Sequence, residues 1–187
     1  LVEQALKTAT QKGAQMDVLE AIYTRRSIRK YAADPVPEET VRELLGAAMM
    51  APSAGNQQPW HFLVVTDKTQ LEQVKTVHPY VGMAPRAPLG ILICGDESLE
   101  KFPGFWPQDC SAAMQNLLLA AHGLGLGAVW TGVYPYGDRI DRFRDIFSLP
   151  AHVVPFGFAV IGFPEQKGGR QDRYRADRVR HNRWGET

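Results

Sequence analysis

The stretch from residue 108 to 125 predicts a helix with more apolar surface than a small protein can cover by itself. Met114, Leu117, Leu118, Ala121 and Leu124 mark one face at helical spacing, and Ala112, Ala113, Leu119 and Ala120 spread apolar character around the rest. A helix apolar nearly all round is buried nearly all round. The whole chain has 187 residues, enough for one domain or for one protomer of an intertwined pair. The helix therefore points to burial against a second subunit. The remaining composition, 44% apolar and 22% charged, is that of a packed globular protein rather than a disordered one.

The elements around that helix predict an α+β fold. Residues 1–16, polar and alanine-rich, are set aside as an N-terminal extension, and 17–187 form the domain. Asp17 followed by Glu20 reads as a capping box, and Leu19, Ile22 and Tyr23 continue at helical spacing. Asp34-Pro35-Val36-Pro37 ends any helix, and Glu38 and Glu39 open the next, with Val41, Leu44, Leu45 and Ala48 as its buried face. Strands are expected at 61–66, 89–94, 128–133 and 153–162, the last interrupted by Pro155 and Gly157, with helices at 68–77 and 138–147.

Two irregular stretches carry chemistry. Thr24-Arg25-Arg26-Ser27-Ile28-Arg29-Lys30-Tyr31 places four cations within six residues. Cations suit the negative end of a helix, and they also suit an anionic ligand. Ala51-Pro52-Ser53-Ala54-Gly55-Asn56-Gln57-Gln58-Pro59-Trp60 cannot form regular structure. Its hydroxyl and three amides serve a hydrogen-bonded turn or the edge of a heterocycle with alternating donors and acceptors. Phe102-Pro103-Gly104-Phe105-Trp106-Pro107 reads equally as a cap on the core or a wall over a flat ligand.

Other features exclude classes. A net charge of +1 argues against general nucleic-acid binding, although residues 167–187 hold seven basic and three acidic side chains. Cys94 and Cys110 match no zinc or redox spacing, and His61 and His78 have no metal-like partners, so no metal is expected. Gly123-Leu124-Gly125-Leu126-Gly127 follows a helix and precedes a strand, the reverse of the dinucleotide-binding order. No apolar run is long enough to cross a membrane. The chain begins at Leu1, so a removed targeting peptide would leave no trace; a cytoplasmic location is the expectation.

Four blocks in one order make the chain resemble the nitroreductase family of FMN-dependent flavoproteins. They are Arg25 to Arg29, Pro52 to Trp60, Gly123 to Gly132, and the basic tail ending in Arg183-Trp184. The resemblance spans roughly residues 17–184. It implies a mixed, mainly antiparallel sheet flanked by helices, in an intertwined homodimer. Two FMN molecules would lie at the subunit interface, with the C-terminal tail wrapping the partner. By the same resemblance Arg25 and Ser27 would hold the phosphate and ribityl end. Arg29 would approach the N1/O2 edge of the ring with Arg26 beside it. Pro52, Ser53, Ala54 and Asn56 would reach the flavin from the partner subunit. Thr131 and Gly132 would lie near N5, and Arg173, helped by Arg170, would be a second phosphate ligand.

The implied activity is ping-pong electron transfer from NAD(P)H through flavin N5 to a nitroaromatic, quinone or similar flat acceptor. Because the cofactor supplies the hard chemistry, the absence of a catalytic triad or acid pair does not count against an enzyme. The rivals are a dehalogenase, ring dehydrogenase or flavin-cleaving enzyme on the same fold, and a flavin-storage protein without turnover.

Overall fold

Four strands build one sheet: β1 (Trp60–Val65), β2 (Leu89–Asp96), β3 (Gly127–Gly132) and β4 (Val153–Gly162), in the spatial order β1-β2-β4-β3. All neighbours are antiparallel. One parallel bridge, Ser27 to Ala128, makes the sheet mixed. The computed structural model describes residues 16–185, so the N-terminal extension lies outside the described residues except for Met16. Central strands β2 and β4 are buried along their whole length, which is why they read as continuous apolar runs.

Five α-helices are seen among the described residues: α1 (Val18–Thr24), α2 (Glu38–Met49), α3 (Lys68–Val77), α4 (Trp106–Gly123) and α5 (Gly137–Phe147). Leu44 and Ala48 of α2 and Met114 and Leu117 of α4 pack with Ile91 and Ile93 on one face of the sheet. Leu71 and Val74 of α3 and Phe143 of α5 pack with Leu92 and Phe158 on the other. Cys94 and Cys110 fall in these two separate layers. Both are free, and burial pushes the Cys94 thiol up to about 12 and Cys110 in the same direction.

The interruption read at Pro155 and Gly157 is a bulge. Ile93 pairs with Gly157 and Cys94 with Pro155, leaving Phe156 as the extra residue. The carbonyl of Phe156 then accepts the N–H groups of Val133 at 3.1 Å and Tyr134 at 3.0 Å, so the bulge fixes the exit of β3.

α1 departs from its expectation. Asp17 caps it by accepting from Leu19 N–H at 2.9 Å and Glu20 N–H at 3.3 Å. Glu20 does not return the capping bond; its carboxylate pairs with Arg170 at 2.9 Å. Leu19, Ile22 and Tyr23 are exposed, and Ala21 alone of α1 is buried. On α4 the fold buries Cys110, Ala113, Met114, Leu117, Leu118 and Ala121 but leaves Ala112, Leu119 and Ala120 half-covered. From Phe163 to Gly185 nearly every tail residue is exposed, Trp184 at 89%.

Candidate functional site

After α1 the chain runs extended along the open edge of β3. Ile28 N–H donates to Ala128 C=O at 3.0 Å, and the Ile28 side chain is buried over Gly127. Alternation in an extended chain puts Arg25, Ser27 and Arg29 on the side opposite Ile28. Tyr31 locks the segment down, its hydroxyl reaching the carbonyls of Ile28 and, at 3.0 Å, Val160.

The arginines of the basic stretch are placed differently from one another. Arg26 caps the helix end: its guanidinium donates to Tyr23 C=O at 2.8 Å and Arg25 C=O at 2.6 Å. The Arg25 guanidinium makes no hydrogen bond among the described residues, although its backbone N–H donates to Ala21 C=O at 2.9 Å. It lines a cleft of about 390 Å³ between α1 and the tail, with Arg26 and Arg173. Partial burial, then the nearby Arg26 and Arg173 charges, hold its pKa below the ordinary arginine value. Three cations placed to repel one another create a field that an anion would relieve. Arg173 itself bonds Gln171 Oε1 at 2.9 and 3.2 Å. Arg170 is placed differently, paired with Glu20 and stacked 4.3 Å over the Tyr23 ring. Arg29 is exposed, and its backbone N–H is held by Gln166 Oε1 at 2.9 Å.

The loop after α2 is pinned from below by a residue that sequence reasoning missed. Asp109, 5% exposed, accepts from Ala54 N–H at 3.0 Å and from the Gln57 amide at 2.7 Å. Gln57 Oε1 accepts in turn from Lys101 and Phe102 N–H at 2.9 and 3.1 Å, tying the aromatic loop to the same anchor. Ser53 Oγ is used within the loop, accepting Gln58 N–H at 2.9 Å. Pro52 and Asn56 stay exposed, and Gly55, Asn56 and Gln58 all have positive φ. Asp109 lies thirteen positions along α4 from His122, which Thr24 contacts at 2.8 Å. At about 1.5 Å per residue the loop and the Arg25 cluster are therefore roughly 20 Å apart.

Thr131 and Gly132 face opposite ways. The Thr131 hydroxyl is buried and donates to Phe158 C=O at 2.7 Å, which leaves it no proton to offer a ligand. Val133 N–H bonds towards β4, whereas Ala128 C=O is taken from outside by Ile28. The antiparallel ladder alternates, so Ala128, Trp130 and Gly132 direct N–H and C=O away from β4. Outside, Gly132 C=O accepts from His78 Nε2–H at 2.8 Å and from Arg139 at 3.0 Å. The aromatic loop divides: Trp106 caps the core over Gly95 and meets Tyr134 edge-on at 4.8 Å, while Phe102 and Phe105 are exposed.

Two histidines in this region make a pH prediction. Burial lowers the His78 pKa from 6.5 despite its bond to Gly132; burial, then Arg25 and Arg26, lower that of His122. Both are harder to protonate folded than unfolded. Their stabilisation is fully present above about pH 6.5 and is lost as the pH falls below it. Melting temperature should drop between about pH 7.5 and about pH 5.5. His78→Gln should flatten that dependence; an unchanged slope would show that His78 is not its source.

Among the described residues no cluster of three or more His, Cys, Asp or Glu could hold a metal, and no helix is long and apolar enough to cross a membrane. The model of the Nitroreductase family matches residues 22–78 and 71–163. A protein of Methanothermobacter thermautotrophicus, provisionally named an NADH dehydrogenase/NAD(P)H nitroreductase, is 54% identical over 173 residues, 92% of this chain and 91% of its own. A crystal structure from Parabacteroides distasonis under the same provisional name superposes with a TM-score of 0.86 at 42% identity, covering 89% of this chain and 98% of that one. A provisionally assigned Desulfovibrio desulfuricans nitroreductase, solved in complex with FMN, superposes at 0.77 with 33% identity, covering 91% and 99%. With its antiparallel sheet, its basic segment on the β3 edge and these relatives together, the chain belongs to the nitroreductase family.

Proposed function

We propose that this protein is an NAD(P)H-dependent FMN oxidoreductase that delivers electrons to flat, electron-poor acceptors such as nitroaromatics or quinones. The observation that carries the reading is the β3 edge. A segment presenting Arg25, Ser27 and Arg29 on one face enters at Ala128, and four residues on, about 14 Å away, Gly132 turns an amide N–H outward. An anion site at one end and backbone donors further along the same edge fit an elongated, phosphorylated, planar group.

Arg25 and Arg173 would bind the phosphate by charge-assisted hydrogen bonds, with Ser27 beside them. Arg29 would stand at the ring's carbonyl edge, where a cation favours negative charge. Bound there, FMN would supply acceptance and release of an electron pair at N5. The Gly132 N–H would orient that atom, and exposed Phe102 and Phe105 would flank the open face on which donor and acceptor alternate. The purified protein should carry an oxidised-flavin visible spectrum and oxidise NADH with menadione as acceptor. A colourless protein that gains no bound flavin from added FMN would sink the reading; a flavin-loaded one without turnover would reduce it to storage.

The site is shared between two copies of the chain in this proposal. Support comes from the uncovered Leu19, Ile22 and Tyr23 of α1, the half-covered strip of α4, and the unpacked tail. Obligate interfaces of this kind commonly bury more than about 2,000 Å². Co-expression tests the sharing. Arg25→Ala chains and Ser53→Ala/Asn56→Ala chains should each bind flavin poorly, while mixed dimers recover one intact site. Mixed dimers that never recover would place both blocks in one subunit.

A further inference from the structure

His78 has no part in the proposed flavin site, yet it sits against the carbonyl of Gly132, the last residue of β3. It is 2% exposed, and its two nitrogens are both used. Nδ1 accepts Tyr80 N–H at 3.2 Å, which leaves Nε2 as the protonated nitrogen, donating to Gly132 C=O at 2.8 Å. The edge-on Phe143 ring, with centroids 6.4 Å apart, backs the imidazole. Arg139 holds the same carbonyl from the solvent side at 3.0 Å and is itself stacked 4.2 Å over Tyr136.

Gly132 needs such support. A Cβ there would meet nothing nearer than 3.9 Å, so neither packing nor its own side chain limits its backbone. The peptide that joins it to Val133 is nevertheless pinned at both ends: the carbonyl by His78 and Arg139, the N–H by Phe156 C=O at 3.1 Å. Fixing that peptide restrains ψ of Gly132, which limits how far the preceding Thr131–Gly132 peptide, the one that carries the outward Gly132 N–H, can swing.

We propose that His78 is a positioning residue, which from beneath β3 holds the Gly132–Val133 peptide so that the Gly132 N–H stays aimed at the bound ring. The ring itself belongs to the proposed function above; the pinning of the peptide does not depend on it. His78 acts through Gly132 and touches neither substrate nor phosphate end.

The experiment compares His78→Leu, which cannot donate, with His78→Gln, which can, in flavin-free and FMN-loaded protein. Without flavin, amide exchange at Val133 should speed up about tenfold relative to Val160 in the leucine variant and return towards wild type in the glutamine variant, the scale of one lost hydrogen bond. With FMN, the leucine variant should bind with nearly unchanged affinity but be reduced by NADH about tenfold more slowly, with a shifted flavin midpoint potential. Unchanged Val133 exchange would overturn the proposal, whatever the flavin does. Altered exchange with unchanged potential and reduction rate would overturn its link to the ring. If the wild-type protein bound no flavin, the proposed function would fail, and with it the link to the ring, while the Val133 result still decided the pinning. Should His78→Leu not fold, nitrogen-15 NMR of wild-type His78 decides: a neutral Nε2–H form is required, and a neutral Nδ1–H form refutes it.

Discussion

Asp109→Ala should destabilise the protein by about 3 kcal/mol, because each buried donor left without an acceptor costs about 1–3 kcal/mol and this change strands two. The Ala54 N–H and the Gln57 amide both lose their partner. The damage should spread, since Gln57 also holds Lys101 and Phe102 N–H. Asp109→Asn should fall between, keeping an acceptor for one donor and turning an amide N–H against the other. Urea unfolding at fixed protein concentration measures this. A change below about 1 kcal/mol for Asp109→Ala would mean that water replaces the carboxylate and that the loop does not depend on it.

The second large effect falls on the cofactor. Arg25→Ala should weaken FMN binding by about 1.5–3 kcal/mol, the range for hydrogen bonds to a charged group, or about 10- to 150-fold in Kd. Arg25→Lys should recover only part, because an ammonium cannot offer two parallel donors to a phosphate. Stability without flavin should change little or improve, because the substitution removes a half-buried cation from beside Arg26 and Arg173. Titration of the flavin-free protein with FMN settles the matter: an unchanged Kd would remove Arg25 from the phosphate site.

These two residues differ in how far sequence could reveal them. Arg25 stood in a run of cations and in a block matching a known family. The run did not say which arginine is spent on the fold, because that depends on Arg26 reaching back to Tyr23 C=O. Asp109 sits in the first turn of α4, where an acid is ordinary; its role exists only because the loop at residues 54–57, more than fifty positions earlier, lies over it. The helices and strands were legible because their apolar periods are strong, and β4 ran from Val153 to Gly162 as expected. What Pro155 and Gly157 do there was not, since a bulge is defined by the register of a partner strand. Thr131 was within reach: alternation along β3 already puts it on the face opposite Trp130 and Gly132. The exposed Leu19, Ile22 and Tyr23 show the limit of period arguments, which find an apolar face without saying whether the same chain covers it.

The outer side of β3 has a consequence for how the protein fares in its host. Ala128 is paired by Ile28, but the backbone groups at Trp130 point outward with no strand beyond them among the described residues. A bare sheet edge is a template on which a passing chain can add. If a flat cofactor lies along this edge, it shields the edge as well as serving chemistry. Newly made chains lacking flavin would then be the ones that clump or are degraded, and the supply of flavin would set how much protein accumulates, before any question of turnover arises.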